Sequence, residues 1–396
     1  MPDQIRFSFD NLISALSLSL DLLTTETINH HRRVTLIIAQ LAKDLKLSDD
    51  EYTRAFYASQ LHDVGVVSSN DKLNIMKFDY IDSQPHCERG SSVLQESEIL
   101  KDLSSIIRHH HDRWLGPNKS GLIKDKIPLL SQIIYLADRL AVLISNSKYV
   151  LEQKSGIINK IKSFSGTFFN PNLVTSLIRV SRHDGFWLDL TSGMIEHQLV
   201  YFTPPKKSDV TLDQAIDIAR IFEIVVDNKS HYTHTHSQGV RKLALRLAKE
   251  LRFNDDALKK IEIAASLHDL GKLAVADEIL EKPASLTPTE YSMIKKHSYY
   301  TYNILRLIEG FDEIARWSAL HHERLDSSGY PFSHDRDTLP LGARIIAVAD
   351  VFTALTEDRP YRRKLPADQA IRLMEQQVKQ SILDVSIVDV LKKIIP

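Results

Sequence analysis

The chain has 396 residues, enough for two domains of ordinary size, and its 50 basic and 51 acidic residues leave a net charge of −1. No basic stripe or tail stands out, so we expect no DNA binding, and the absence of any run of about 18 uncharged apolar residues argues against a membrane span. The only cysteine, Cys87, excludes a disulfide framework and predicts a reducing, cytoplasmic location.

Taken in chain order, the sequence repeats one arrangement of histidines and aspartates. In each copy an HD dyad follows the first histidine by 32 positions, and an adjacent histidine pair follows the next histidine by 24. The first copy comprises His30, His62, Asp63, His86, His110, His111 and Asp138. The second comprises His236, His268, Asp269, His297, His321, His322 and Asp350. The chain is therefore an internal duplication.

Helical periodicity dominates both copies. Apolar residues recur on one helical face at Val34, Ile38, Leu41 and Leu45 and, in the second copy, at Val240, Ala244, Leu247 and Leu251. Ser48 with Glu51, and Thr287 with Glu290, predict capping boxes at two helix starts. We expect an all-α fold built from two tandem helical domains.

A polar, proline-bearing stretch over 202–209 predicts a linker between the two copies. We therefore expect an N-terminal domain over residues 1–205 and a C-terminal domain over residues 206–396. A helix from about 212 to 226 should lead into the second copy.

The spacing indicates metal chemistry. A histidine taken singly is usually structural, but seven imidazole and carboxylate groups in one repeated pattern suit a pair of divalent transition metals rather than one zinc. Each dyad follows an apolar helical run, so its carboxylate lies near a core where a buried charge needs a partner. A metal ion provides that partner.

The segment HHERLDSSGYP (321–331), with HDLGK and RIIAVAD, resembles the HD-GYP cyclic-dinucleotide phosphodiesterases. The resemblance covers the second copy almost entirely and implies two tandem HD-superfamily helical domains. It also implies two divalent transition ions, iron or manganese, bridged by Asp269. One ion would be held by His236, His268 and Asp350, and the other by His297, His321 and His322.

The resemblance implies roles for residues around the metals. Lys272 would stabilise charge on the phosphoryl oxygens, and Arg359 and Arg362 would hold phosphate. Gly329 and Tyr330 lie in the GYP loop, which in the family flanks the site and is linked to contacts with diguanylate cyclase (GGDEF) domains. A homodimer is a further expectation.

Two positions depart from the family pattern. Asp326 and Ser327 stand where the family has Asp-Gly, which costs the loop backbone freedom but no ligand. Tyr232 stands where some members carry a glutamate that binds a third metal, so we expect two metals in the C-terminal domain.

The first copy keeps all seven candidate ligands, so a metal there is chemically reasonable. It lacks the rest of the pattern: Val66 stands at the position of Lys272, Leu115–Pro117 replaces the GYP turn, and no arginine pair follows. Two interpretations compete for this degenerate domain. One is regulation or dimerisation; the other is a 5′-nucleotidase activity on the linear product of the second copy.

The expected function is hydrolysis of cyclic dinucleotides, cyclic di-GMP or 3′,3′-cyclic GMP-AMP, to a linear 5′-phosphorylated dinucleotide and further to mononucleotides. A non-enzymatic cyclic-dinucleotide sensor is one alternative. Lys272 argues against it, because a binder needs no such residue beside a hydrolytic metal pair. A general HD nucleotide phosphohydrolase is the other alternative, which the GYP and RPYR segments disfavour.

Overall fold

The computed structural model of the chain describes residues 5–23, 29–78, 84–204, 209–230, 235–358 and 363–395. The chain forms two compact units. Thr24–Ser208 is the N-terminal unit, and Met1–Leu23 with Asp209–Pro396 is the C-terminal unit. Both are helical and each contains one copy of the repeat, which confirms the all-α prediction.

The chain begins with a short strand, β1 (Arg6–Phe7), and helix α1 (Phe9–Asp21). The described part of the N-terminal unit then contains α2 (His30–Leu45), α3 (Asp49–Leu61), α4 (Ser69–Ile75), α5 (Gln84–Gln95), α6 (Ser104–Arg108), α7 (Leu129–Leu143), α8 (Val150–Ser163), α9 (Pro171–Val180), α10 (Asp184–Thr191) and α11 (Ile195–Phe202).

The rest of the C-terminal unit contains β2 (Val210–Thr211) followed by helices from α12 to α20. These are α12 (Leu212–Asp227), α13 (His236–Glu250), α14 (Asp255–Ser266), α15 (Asp277–Leu280), α16 (Pro288–Leu305), α17 (Asp312–Ala319), α18 (Leu341–Thr356), α19 (Ala367–Lys379) and α20 (Val385–Ile394). A 3₁₀ helix, Leu270–Ala274, follows the second dyad.

The duplication is visible in the helix packing. Helix α2 packs against α3 and α7, and its counterpart α13 packs against α14 and α18. The predicted apolar faces are buried from Val34 to Leu41 and from Val240 to Leu247. In both units the dyad lies just after the second of these helices, α3 or α14, and the last aspartate lies on the third, α7 or α18. The same three-helix arrangement therefore carries the dyad and the last aspartate in each unit.

The predicted helix starts are confirmed. Ser48 and Glu51 form a reciprocal capping box at α3, and Thr287 and Glu290 form one at α16, where Pro288 is the first helical residue. These caps satisfy backbone N–H groups that the helix leaves unbonded. Helix α12 spans Leu212–Asp227, within one residue of the expected 212–226.

The first 23 residues belong to the C-terminal unit, which differs from the expected domain of residues 1–205. Strand β1 pairs antiparallel with β2, and the ring of Phe7 meets that of Phe311 edge-on at 4.7 Å. Helix α1 packs against α16 and the 3₁₀ helix, burying Leu12, Ile13 and Leu16. Burial of this apolar face is a strong driving force for the docking. The expected boundary near 205 lies close to the division after Ser208.

None of the helices in the described ranges is both long and apolar enough to cross a lipid bilayer.

Candidate metal centre

The candidate ligands of the C-terminal unit come from five helices or the turns that end them. His236 is the first residue of α13 and Asp350 lies on α18; the Nε2 of His236 is 3.1 Å from Oδ1 of Asp350. The other ligands lie just after α14, within α16 and just after α17: His268 with Asp269, His297, and His321 with His322. Packing of α13 on α18 brings together residues that are 114 positions apart in sequence.

The backbone fixes the orientation of three imidazole rings. Nδ1 of His268, His297 and His321 is 2.7, 2.7 and 2.6 Å from the carbonyl oxygen three residues earlier. A carbonyl oxygen only accepts, so Nδ1 carries a proton and donates it. In the neutral ring the lone pair therefore lies on Nε2, the atom that faces the other ligands.

Two groups of candidate ligand atoms share no residue, and within each group the atoms lie within 4.8 Å of one another. One group is His236, His268 and Asp350; the other is His297, His321 and His322. A third group, His268, Asp269 and His321, takes one histidine from each of these two and adds Asp269. The partition of the ligands between two ions that the family resemblance implies stays a prediction. Within the described residues, His321 Nε2 and Asp269 Oδ1 are buried without a hydrogen-bond partner. Buried polar atoms are rarely left unsatisfied, and a cation between them would satisfy both.

Asp269 lies between the two groups. Its Oδ2 is 3.1 Å from His268 Nε2, and its Oδ1 is 3.6 Å from His297 Nε2. Two ligand atoms that share a metal at about 2.0–2.1 Å are roughly 2.9 Å apart at a right angle and roughly 3.6 Å apart at the widest trigonal angle. Both distances fit this range, so the residues fit a pair of divalent ions with one carboxylate oxygen directed to each.

Burial and neighbouring charge set the protonation states. Burial lowers the pKa of His297 to about 4 and that of His321 to about 3. Burial also opposes charge on His268, but the Asp269 carboxylate outweighs it and raises the pKa of His268 to about 9. Burial disfavours the Asp269 carboxylate too, yet His268 and Lys272 hold its pKa well below the usual range. Metal binding would therefore displace a proton from His268.

A cavity of about 460 Å³ opens beside these ligands. Its walls include Asp269, Lys272, His297, His322, Tyr330 and Asp350. The Lys272 ammonium donates a hydrogen bond to Oδ2 of Asp269 and its side chain is 19% exposed, so it faces both the ligand cluster and the cavity. The structure thus brings Lys272 and Tyr330 to the site, as the sequence predicted.

The GYP loop is held by a residue to which the sequence analysis assigned no role. Glu323 is buried, and its carboxylate accepts hydrogen bonds from the backbone N–H groups of Phe332 at 2.6 Å and His334 at 3.0 Å. The Tyr330 ring lies 4.8 Å from the ring of His322. Glu323 therefore fixes the loop that places Tyr330 against the metal ligands. Nothing in the sequence separates it from a surface glutamate.

Two glycines allow the backbone to approach closely. A Cβ on Gly329 would lie 2.4 Å from the Cα of Glu323, and one on Gly271 would lie 2.0 Å from the carbonyl oxygen of His297. Gly329 therefore packs the loop against the chain at Glu323 and Arg324. Its predicted role in substrate binding stays a prediction. The glycine of the HD-x-G segment recurs in the first copy, where a Cβ on Gly65 would likewise lie 2.0 Å from the carbonyl oxygen of His86.

The N-terminal unit repeats the arrangement. Oδ2 of Asp63 is 3.3 Å from His62 Nε2, and its Oδ1 is 3.6 Å from His86 Nε2. Candidate ligand atoms again form two groups: His30 with His62 and Asp63, and His86 with Cys87, His110 and His111. The last aspartate, Asp138, accepts from His30 Nε2 at 3.2 Å. All seven ligands predicted for the first copy therefore meet at one centre.

The sequence predicted no lysine beside the dyad of the first copy, but the structure places Lys72 there. Val66 occupies the position of Lys272 in the sequence, but Lys72 reaches the dyad from α4 and its Nζ lies 2.5 Å from Oδ2 of Asp63. Lys72 is fully buried, whereas Lys272 is partly exposed. The repeat gave no indication of it, because α15, which follows the second dyad as α4 follows the first, contains no lysine.

Two further residues of the first copy were missed although both adjoin predicted ligands. His31 is buried with Nε2 3.7 Å from Oδ2 of Asp63. Arg139 is buried and binds Oδ2 of Asp138 through Nε at 3.1 Å and Nη2 at 2.7 Å. The HH doublet at 30–31 and the Asp-Arg pair at 138–139 were the available signals.

Three predicted positions lie outside the described residues: Arg359, Arg362 and Tyr232. The two arginines therefore stay predictions, as does the expectation of two rather than three metals.

Two helical units, each with an HD dyad at the centre of clustered imidazoles, define a tandem HD-domain hydrolase. Family models described as HD domain match residues 27–143 and 220–387. The chain is 32% identical over 383 residues to the 3′3′-cGAMP-specific phosphodiesterase 1 of Vibrio cholerae, covering 94% of this chain and 88% of that protein. The chain belongs to the HD-GYP-type cyclic-dinucleotide phosphodiesterases.

Two other relatives place this similarity in context. A crystal structure of a cyclic GMP-AMP specific phosphodiesterase from V. cholerae matches with a TM-score of 0.71 at 25% identity, covering 99% of both chains. A cyclic di-GMP phosphodiesterase of Thermotoga maritima is 34% identical over 168 residues, which is 41% of this chain and 45% of that protein. The first similarity spans both units, and the second covers less than half of either chain.

Proposed function

We propose that the C-terminal unit hydrolyses a cyclic dinucleotide with the aid of two divalent ions held by the ligand groups on either side of Asp269. The observation that carries this proposal is the geometry of Asp269: one carboxylate oxygen faces each ligand group at the edge of a 460 Å³ cavity. A sensor would need the cavity, but it would have no use for a lysine that faces both the bridging carboxylate and the ligand.

When bound, a pair of divalent ions supplies an activated water and stabilises charge on the attacking and leaving oxygens. The protein's own residues do the rest. Lys272 lines the cavity, where its ammonium can stabilise negative charge that develops on the phosphoryl oxygens. Asp269 holds this ammonium in place by a hydrogen bond. Tyr330 closes one wall, and we propose that Arg359 and Arg362 bind phosphate.

We propose 3′,3′-cyclic GMP-AMP as the preferred substrate and cyclic di-GMP as the weaker one. The support is that similarity to the V. cholerae cyclic GMP-AMP enzyme extends over 94% of the chain, whereas similarity to the T. maritima cyclic di-GMP enzyme covers 41%. Product analysis with both cyclic dinucleotides side by side tests this proposal. A faster turnover of cyclic di-GMP would reverse the assignment.

Iron or manganese is proposed for the C-terminal pair, because a cluster of imidazoles bridged by a carboxylate suits these ions. Replacing the bridge, Asp269→Ala, should remove metal and activity together. Replacing the lysine, Lys272→Ala, should leave metal content unchanged and lower turnover by about a hundredfold, the effect of one lost transition-state donor. Two metals retained by the first variant, or full turnover by the second, would contradict the roles assigned here.

A second activity is proposed for the N-terminal unit, a phosphomonoesterase acting on the 5′-phosphate of the linear product. The specific observation in its favour is Lys72, which binds the dyad aspartate as Lys272 does in the other unit. Because Lys72 is fully buried, the site suits a compact phosphate-bearing end. The double variant His62→Ala, Asp63→Ala should lose metal and accumulate the 5′-phosphorylated linear dinucleotide. A loss of metal with unchanged products would leave a regulatory domain.

The partner proposals concern the GYP loop. We propose that it binds GGDEF domains, which is supported by the exposed ring of Phe332 beside Tyr330. Titration of a purified GGDEF domain against wild-type and Phe332→Ala protein tests this contact.

A cytoplasmic location is proposed because the single cysteine indicates a reducing compartment. A homodimer is proposed as well, and sedimentation analysis of the full chain tests it.

A further inference from the structure

The histidine of α5 is followed directly by the chain's one cysteine. Cys87 is buried, and its Sγ lies 3.7 Å from Nε2 of His86. The ligand atoms of Cys87, His86, His110 and His111 all lie within 4.8 Å of one another. The thiol is therefore part of the second ligand group of the N-terminal unit, where the sequence pattern had indicated only histidines.

The distances can be compared with those in a tetrahedral metal site. Zinc binds imidazole nitrogen at about 2.0–2.1 Å and thiolate sulfur at about 2.3 Å, so tetrahedral geometry separates two nitrogens by roughly 3.3 Å and a nitrogen from a sulfur by roughly 3.6 Å. Nε2 of His86 is 3.3 Å from Nε2 of His110 and 3.7 Å from Sγ of Cys87. Both separations match edges of such a tetrahedron.

Two independent features of the histidines point to a cation at the same place. Nε2 of His111 is buried and has no hydrogen-bond partner among the residues that the structure describes. Nδ1 of His110 lies 2.6 Å from the Ile107 carbonyl oxygen, to which it donates, so the lone pair of the neutral ring is on Nε2, toward His86. An unsatisfied nitrogen and an oriented lone pair beside a thiol are what a metal would coordinate.

The C-terminal unit has a hydroxyl at this position. Ser298 directly follows His297, as Cys87 follows His86, and its Oγ is 3.1 Å from His297 Nε2. A neutral hydroxyl is a weak, hard donor, whereas a thiolate is a soft anionic ligand that favours zinc. The two centres therefore share their imidazoles and differ in the fourth donor.

We propose that Cys87 is a metal ligand, and that the N-terminal unit holds a zinc-type ion through His86, His110, His111 and the Cys87 thiolate. The two units of the chain then select different metals: a thiolate-containing tetrahedral set in the first, and an imidazole and carboxylate set in the second. This inference is independent of the reaction proposed for the C-terminal unit.

The test uses Co²⁺, which can replace zinc and gives a charge-transfer absorption band when a thiolate sulfur is one of its ligands. Full-length protein is stripped with a chelator and loaded with Co²⁺, and its near-ultraviolet spectrum is recorded. Because Cys87 is the one cysteine in the chain, any sulfur-to-cobalt charge-transfer band reports this residue. We expect the wild-type protein to show the band. Its absence from the cobalt-loaded wild-type protein would overturn the proposal and requires no variant.

Two variants complete the test. Cys87→Ser recreates the Ser298 arrangement and should abolish the band and reduce tightly held zinc by one ion per chain, with helical circular dichroism unchanged. Asp269→Ala disrupts only the C-terminal bridge, so its cobalt-loaded form should keep the band. Wild-type zinc content in Cys87→Ser protein would show that Cys87 is not a ligand, and loss of the band in Asp269→Ala protein would overturn the assignment of the thiolate site to the N-terminal unit alone.

Discussion

Glu323 offers the sharpest test of how the GYP loop is held against the metal centre. Its buried carboxylate accepts one backbone N–H from Phe332 on Oε1 and one from His334 on Oε2. Glu323→Ala removes both acceptors and leaves the positions of the metal ligands otherwise intact. Glu323→Gln keeps one acceptor oxygen and presents an amide NH₂ to the other donor.

The magnitude follows from the two bonds. A hydrogen bond to a charged group contributes about 1.5–3 kcal/mol. Phe332 and His334 are not fully buried, so water can reach their N–H groups in the variant and the lower value applies. The alanine variant should therefore destabilise the loop by about 3 kcal/mol, and the glutamine variant by about half of that. At about 1.4 kcal/mol per factor of ten, these losses correspond to roughly a hundredfold and roughly tenfold in the closed-to-open ratio of the loop.

Hydrogen exchange followed by mass spectrometry measures this ratio directly. The peptide that contains Phe332 and His334 should lose protection by these factors, while peptides from α13 and α18 should not change. Glu309→Ala, an exposed glutamate of the same unit, is the matched control and should leave the loop unchanged. The KM for the cyclic dinucleotide should rise in the order of the loop opening. Unaltered protection in Glu323→Ala protein would refute the assignment of the loop clamp.

Three other predictions follow from packing, backbone conformation and charge. Gly271→Ala should unfold the C-terminal centre and release its metal, because the added Cβ would lie 2.0 Å from the His297 carbonyl oxygen; Gly185→Ala, which has open space, should not. Ser327 has a φ of 64°, in the left-handed region that glycine adopts more readily than serine. Ser327→Gly should therefore raise the free energy of unfolding, measured in urea, by about 0.5–1 kcal/mol. Because burial lowers the pKa of His297 and His321, the unfolded chain binds more protons below about pH 6.5, so the Tm of chelator-treated protein should fall from pH 7 to pH 5. A Tm independent of pH in this range would contradict the last prediction.

The parts of the site that sequence predicted are those in which ligand type and spacing are repeated. Because α2 and α13 present His30 and His236 at the same helical position, intervals of 32 and 24 residues in both copies identified the imidazoles and carboxylates that the two centres share. His31 has no counterpart in the second copy, so the repeat did not identify it. Helix starts were equally accessible, since a capping box is a local interaction over four residues. Such features depend only on neighbouring or regularly spaced residues, so they can be recognised without knowledge of the tertiary structure.

The parts that sequence did not predict depend on tertiary contacts. Lys72 reaches Asp63 from α4, and its counterpart α15 contains no lysine, so comparing aligned positions led only to Val66. Helix α1 packs against α16 and the 3₁₀ helix of the C-terminal unit. Hydrophobic periodicity identifies the apolar face of α1, but it does not identify the surface on which that face packs. Glu323 is indistinguishable in sequence from a surface glutamate until the backbone N–H groups of residues nine and eleven positions later are seen to converge on it.

One position accounts for much of the difference between the two centres. After the last aspartate the first copy has Arg139 and the second has Val351. Arg139 neutralises Asp138 and also donates to the carbonyl oxygens of Ile75 and Lys77, so it fills the space beside the carboxylate and ties it to the end of α4.

Val351 lies on the wall of the 460 Å³ cavity instead. A short apolar side chain there leaves room for a large ligand, and it adds no positive charge of its own beside Asp350. With Lys72 and Arg139, both carboxylates of the first copy already have a basic partner, whereas in the second copy the charge of Asp350 is available to a metal. This one position therefore affects both the space beside the last aspartate and the charge that the aspartate offers to a metal, so the cavity and a carboxylate without an arginine partner occur together in the C-terminal unit.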